Sequence, residues 1–140
     1  MAVPRGLVVS GDTLFTALDS EVVSLPTVGG LVSDFWQGPG FQVRALAVSD
    51  ETVYVAATSE SEGSIYSIPL SGGDPTWLAN TNFMVTGIAV ADDAIYLATN
   101  RYGPGNGMKI MVMPTSGGPM TIVTEVDEFP TSIAVDADRL

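Results

Sequence analysis

The chain contains no cysteine and no histidine, and its only lysine is Lys109. Without cysteine there is no disulfide, thiolate nucleophile or Cys/His zinc site, and without histidine the commonest acid–base catalyst is missing. Positive charge is scarce as well: 5 Lys+Arg stand against 16 Asp+Glu, for a net charge of −11. Phosphate recognition needs a positive surface, so nucleic acid is excluded as a partner. No run approaches the roughly 18 consecutive apolar residues of a membrane helix, and no partner membrane is expected. The first ten residues, Met1 to Ser10, lack the apolar h-region of a secretory signal. The expectation is a soluble chain with no visible address, and an extracytoplasmic bacterial setting is open to it.

What is present is apolar and repetitive. The 140 residues are 46% hydrophobic and only 15% charged, enough core-forming material for one folded domain. The segment Val9-Ser-Gly-Asp-Thr-Leu-Phe15 returns as Val48-Ser-Asp-Glu-Thr-Val-Tyr54 and as Val90-Ala-Asp-Asp-Ala-Ile-Tyr96, and its beginning returns at Val135-Asp-Ala-Asp138. A second landmark keeps step: Leu25-Pro-Thr-Val-Gly-Gly30, Ile68-Pro-Leu-Ser-Gly-Gly73 and Met113-Pro-Thr-Ser-Gly-Gly118. Two landmarks sharing one period define a repeat architecture.

Each repeat reads as strands. Short apolar runs such as Leu46-Ala-Val48 end in an acidic turn. Alternating segments rich in β-branched and aromatic residues follow, as in Thr52-Val-Tyr-Val-Ala-Ala57 and Met108-Lys-Ile-Met-Val-Met113. Pro-x-x-Gly-Gly then forces a turn, and a last short strand closes the unit. Four strands in roughly 40–45 residues match a propeller blade. The fold class is therefore all-β, a set of β-propeller blades. Blade one spans about 6–37, blade two about 41–80 and blade three about 84–125, with the stub of a fourth at 130–140.

The pattern Val/Ile-Tyr-x-Ala, Ile-Pro-Leu-Ser-Gly-Gly, Pro-Thr-x-Leu-Ala resembles bacterial β-propeller repeats that carry a Gly-Gly turn between their third and fourth strands. These are distantly similar to YWTD, NHL and streptogramin-lyase-like propellers. The chain departs from the YWTD core in placing Val55 and Leu97 after the tyrosines, and Phe15 replaces the tyrosine of blade one. The lyase resemblance implies a histidine-assisted, metal-dependent elimination, and this chain has no histidine for it. Propellers close with 4–8 blades, so three blades and a stub form an incomplete ring. Either a second copy completes a six-bladed homodimer, or the chain is a fragment of a larger propeller.

No catalytic set assembles. The recurrent aspartates Asp12, Asp50, Asp92, Asp93, Asp136 and Asp138 suit Ca²⁺ in principle, which makes Ca²⁺ the one candidate cofactor. They fall at the same turn of every unit, where aspartate tolerates left-handed backbone, and the turn role is favoured over a metal site. Variation between units is more informative. The hairpin between strands two and three lengthens along the chain, the links between blades differ, and in the resembled propellers both loop sets share the ligand-binding face. Trp36, Phe41, Asn82, Arg101, Tyr102, Asp127 and Glu128 are the candidate contacts on it, a set suited to a carbohydrate or protein ligand. Phe41, with Phe83 and Phe129, also fits inter-blade packing. The functional expectation is a non-enzymatic binding or interaction module, with a carboxylate-ligated metal hydrolase or lyase, or a lectin-like propeller, as alternatives.

Overall fold

The computed structural model describes residues 4–38, 40–49, 51–59, 62–81, 83–101 and 108–125. The stub at 130–140 lies outside them. The described residues contain no helix long and apolar enough to cross a membrane. Twelve strands run in sequence. They are β1 (Pro4–Ser10), β2 (Thr13–Leu18), β3 (Glu21–Pro26), β4 (Ser33–Gln37), β5 (Gln42–Ser49) and β6 (Thr52–Thr58), then β7 (Gly63–Pro69), β8 (Thr76–Thr81), β9 (Phe83–Ala91), β10 (Ala94–Arg101), β11 (Lys109–Pro114) and β12 (Thr121–Glu125). They form three four-stranded antiparallel meanders, β1–β4, β5–β8 and β9–β12. The all-β, propeller-blade architecture read from the repeats is the architecture found.

The two sequence landmarks meet in every blade. The backbone N–H of Thr27 donates to the carbonyl of Asp12 at 2.9 Å, Leu70 to Glu51 at 2.8 Å and Thr115 to Asp93 at 2.9 Å. The acidic turn is thus tied to the residue after the proline, joining both hairpins of a blade at one end. Within the Pro-x-x-Gly turns, Gly29, Gly72 and Gly117 donate to Pro26, Pro69 and Pro114 at 3.0, 3.0 and 3.1 Å. All three glycines have φ between 76° and 88°. The acidic turn makes the same demand, met by Gly11 (φ 56°) in blade one and Asp92 (φ 53°) in blade three. Glycine and aspartate interchange there because both tolerate left-handed backbone. A Cβ on Gly72 would meet nothing within 4 Å, so its replacement tests conformation alone. Gly72→Ala is expected to cost about 1–2 kcal/mol and Gly72→Asn less, read as a lower urea midpoint at unchanged slope.

In blades two and three the outermost strand is the least buried. β6 is buried along nearly its whole length, whereas every residue of β12 is exposed. Blade two is apolar on both faces because it lies between two neighbours. Val53, Val55 and Ile68 pack on blade one, while Tyr54, Ala56 and Ile65 pack with Ile95, Leu97 and Met111 of blade three. The first junction is aromatic: Phe15 meets Phe35 edge-on at 4.8 Å, and Trp36 lies 5.4 Å from Tyr66. The second is aliphatic and methionine-rich.

Strict alternation would not produce these faces. The innermost strand of each blade carries one extra residue: Gly6 between Arg5 and Leu7, Arg44 between Val43 and Ala45, and Thr86 between Val85 and Gly87. The outermost strand carries another, at Phe35, Leu78 and Val123. Each such bulge moves the following side chains to the opposite face and sharpens the local twist. Val43 and Leu46 therefore share the face toward blade one although they are three residues apart.

Candidate functional site

An antiparallel meander puts the β2–β3, β6–β7 and β10–β11 hairpins at one end of the blades, together with the links between blades. The hairpins lengthen from 2 residues (19–20) to 4 (59–62) and 7 (102–108). The first is tied across the blade boundary, where the Val43 N–H donates to the Asp19 carbonyl at 2.6 Å. The second is closed on itself, with the Ser59 N–H donating to the Glu62 carbonyl at 2.8 Å.

Beneath these loops lies a polar layer inside an otherwise apolar core. The buried polar residues Thr58, Ser64, Thr81 and Thr99 all sit at this end of their strands. Each has a partner, as burial requires. Thr58 Oγ1 accepts from Arg44 Nε at 3.2 Å, and Ser64 Oγ donates to Asn80 Oδ1 at 2.9 Å. Thr81 Oγ1 donates to the Phe83 carbonyl at 2.5 Å, and Thr99 Oγ1 to the Lys109 carbonyl at 3.1 Å. Satisfied hydroxyls of this kind hold loop bases in one geometry, which is what a preorganised binding surface needs.

Charge divides along the blade axis. Arg5 and Arg44 lie near the start of their innermost strands, Arg101 ends β10 and Lys109 begins β11, so every basic residue among the described ones is at the loop end. Asp19, Glu21, Glu62 and Glu125 share that end, and Lys109 Nζ lies 3.8 Å from Glu125 Oε1. The opposite end carries Asp12, Glu51, Asp74, Asp92 and Asp93 with no basic residue among those described. Arg5 Nε is buried without a hydrogen-bond partner among the described residues.

Of the seven residues singled out from sequence, Trp36 falls within β4 and is buried against Tyr66, supporting the blade one–two junction. Phe41 is half-buried just before β5. Arg101 closes β10 at the loop end. Asn82, Tyr102, Asp127 and Glu128 lie outside the described residues, as do Asp50, Asp136 and Asp138. Among the described residues no group of three or more acidic side chains could hold a metal ion. Arg5, Arg44 and Lys109 were missed, because each is an isolated charge in an apolar strand. Counting every basic residue from its strand end would have placed each at the loop end of its own blade, but not beside the others. Trp77 was missed also: it is exposed on β8, its Nε1 donating to Asn80 Oδ1 at 2.8 Å.

No protein-family model matches the chain, and no curated protein matches it. Solved structures do resemble it. A chain of a nidogen/laminin complex, a YWTD-type propeller, superposes with a TM-score of 0.74 at 23% identity, over 90% of this chain and 49% of that one. The computationally designed Ika4 protein gives 0.66 at 14% identity, over 97% of this chain and 80% of that one. The isopeptidase AtxE2 gives 0.64 at 11% identity, over 89% of this chain and 20% of its own. At these identities the likeness is one of fold. The chain spans about half the length of the nidogen/laminin neighbour.

Proposed function

We propose that the protein is a non-enzymatic binding module of a bacterial propeller-repeat family with Gly-Gly turns, engaging an acidic carbohydrate or an acidic peptide at the loop end of its blades. The charge distribution carries this reading: a chain of net charge −11 gathers all its described basic residues at the end where its loops vary. Phe41, Asn82, Arg101, Tyr102, Asp127 and Glu128 are the proposed contacts, joined by Arg44, with Trp36 packed beneath as support. The ring is completed by further blades packed on its ends, and the acidity of the chain fits saline surroundings outside the cytoplasm.

Thermal shift with uronic-acid oligosaccharides, acidic peptides and neutral oligosaccharides tests the proposal. The acidic probes should raise the melting temperature, since a ligand that binds only the folded state stabilises it. Arg101→Ala should weaken that binding about tenfold, the loss of one charge-assisted hydrogen bond. Asp92→Asn, at the opposite end, should leave it unchanged. A panel that moves nothing would overturn the binding reading. Stability lost in chelator and restored by Ca²⁺ would favour a metal-dependent enzyme instead.

A further inference from the structure

Blade two carries an exposed tryptophan whose ring is held in place. Trp77 on β8 is 55% exposed, the one aromatic among the strongly exposed apolar side chains of the described residues. Its strand pairing fixes which way it faces. Trp77 pairs with Tyr66 and Asn80 with Ser64, and the bulge at Leu78 puts Trp77 and Asn80 on one face although they are three residues apart. Tyr66 turns toward blade one, where it lies 5.4 Å from Trp36, while Leu78 and Ala79 turn to the core between blades two and three. Trp77 and Asn80 therefore lie on the flank of blade two that faces blade one. This flank opens at the rim, because β8 is the outermost strand of its sheet.

Two hydrogen bonds lock the arrangement. Asn80 Oδ1 accepts from Trp77 Nε1 at 2.8 Å and from Ser64 Oγ at 2.9 Å, and Ser64 is buried. An indole N–H only donates, so the amide turns its oxygen toward Trp77 and its two N–H donors away. Asn80 itself is exposed. The result is an open indole face beside a fixed pair of amide donors, and such preorganisation lowers the entropy cost of binding. Blade packing does not ask for this set. The corresponding cross-strand pairs are Glu21–Gln37 and Val23–Asp34 in blade one, and Lys109–Glu125 and Met111–Ile122 in blade three. Neither blade repeats the aromatic with its amide.

We infer that Trp77 and Asn80 form a subsite for a neutral sugar ring, a pyranose with equatorial hydroxyls. Such a ring lays a flat face of C–H groups on the indole and offers hydroxyl oxygens at its rim to Asn80 Nδ2. The chemistry present selects against other occupants. Ser64, Tyr66, Trp77 and Asn80 carry no charge at neutral pH, so nothing among them pairs with an acidic group. Outward N–H donors repel a cation that would otherwise stack on the ring. A proline-rich segment docked on an aromatic surface needs donors for its carbonyls, and the indole N–H is already committed to Asn80. The subsite uses a blade flank and no basic residue, so it stands independently of the acidic-ligand reading at the loop end.

Cellotetraose, a neutral glucan with equatorial hydroxyls, is the probe, titrated into the isotope-labelled full chain and followed by NMR. The chain has 2 tryptophans, hence two indole N–H signals, and Trp77→Phe identifies which is which. The Trp77 signal should move with a Kd of about 1 mM, as one stacked ring and one hydrogen bond allow. Trp77→Ala should abolish saturation transfer from protein to glucan, while Ile122→Ala, at the corresponding position of blade three, leaves it intact. Asn80→Ala should weaken binding about tenfold. Circular dichroism verifies that each variant keeps its strands. Should Asn80→Ala unfold for want of the Ser64 bond, Trp77→Phe replaces it, with a smaller ring and no N–H to anchor, and should weaken binding about as much. A Trp77 signal unmoved up to the solubility limit of the glucan would overturn the subsite. Transfer that survives Trp77→Ala would overturn it too, by placing the glucan elsewhere. A proline-rich peptide or tetramethylammonium that moves the signal where the glucan does not would overturn it in favour of that occupant. The uronic-acid shift and its Arg101→Ala variant are separate measurements, so the two readings fail separately.

Discussion

Gly63→Ala should lower stability by about 3 kcal/mol, the upper range for forcing atoms into a packed site. Gly63 opens β7, and a Cβ built on it would lie 2.5 Å from Thr81 Oγ1 and 2.8 Å from the Phe83 carbonyl oxygen. One neighbour is backbone and cannot rotate away. The other is a buried hydroxyl already bonded to that same carbonyl. Relief requires the link from β8 to β9 to move and that hydrogen bond to break, leaving a buried polar group unsatisfied. The expected readout is a urea midpoint lowered far more than by Gly72→Ala, whose cost is backbone conformation alone. Equal midpoints for the two variants would refute the close packing at Gly63. Because this contact lies under the loops, Gly63→Ala should also weaken the binding of any loop-end ligand.

Leu97→Ala should cost about 2–5 kcal/mol, the range for removing a fully buried leucine from a core that collapses only partly. Leu97 is fully buried in the blade two–three junction among Ile88, Ile95, Met111 and Ala56. Ile122→Ala, on the exposed strand β12, removes comparable bulk and should stay within about 0.5 kcal/mol. The contrast separates inner-strand packing from general apolar content. In urea unfolding, Leu97→Ala should move the whole transition at unchanged slope if the blades unfold together. A second, earlier transition would show that blade three unfolds on its own, as repeat arrays permit. Equal losses for Leu97→Ala and Ile122→Ala would contradict the burial gradient.

Strands, turns and repeat were legible because each is written locally. The Pro-x-x-Gly-Gly turn needs glycine at positive φ, and the acidic turn needs glycine or aspartate at its left-handed residue, so both announce themselves in the residue types. Alternation between them marks the strands, and two landmarks in step mark the blades. That reasoning also located the end of the blades where loops vary, since an antiparallel meander leaves no other place for them.

What local pattern did not reveal was which side chains face which neighbour. Bulges at Gly6, Arg44 and Thr86 change the facing of the residues beyond them, and neither arginine nor threonine advertises a bulge in the way that a left-handed glycine advertises a turn. Trp36 illustrates the consequence: by position it belongs to the link between blades, yet β4 continues through it and lays the indole against Tyr66. The common end of the basic residues has the same origin. Arg101 and Lys109 flank one hairpin, but Arg5, Arg44 and that pair belong to three different sheets and share an end only once the sheets stack side by side. The sequence by itself determined the strands, the turns and the repeat, because backbone conformation and alternation act over a few residues. Only the tertiary structure decided the facing of the blades, the polar layer under the loops and the gathering of positive charge, because these arise where distant strands meet.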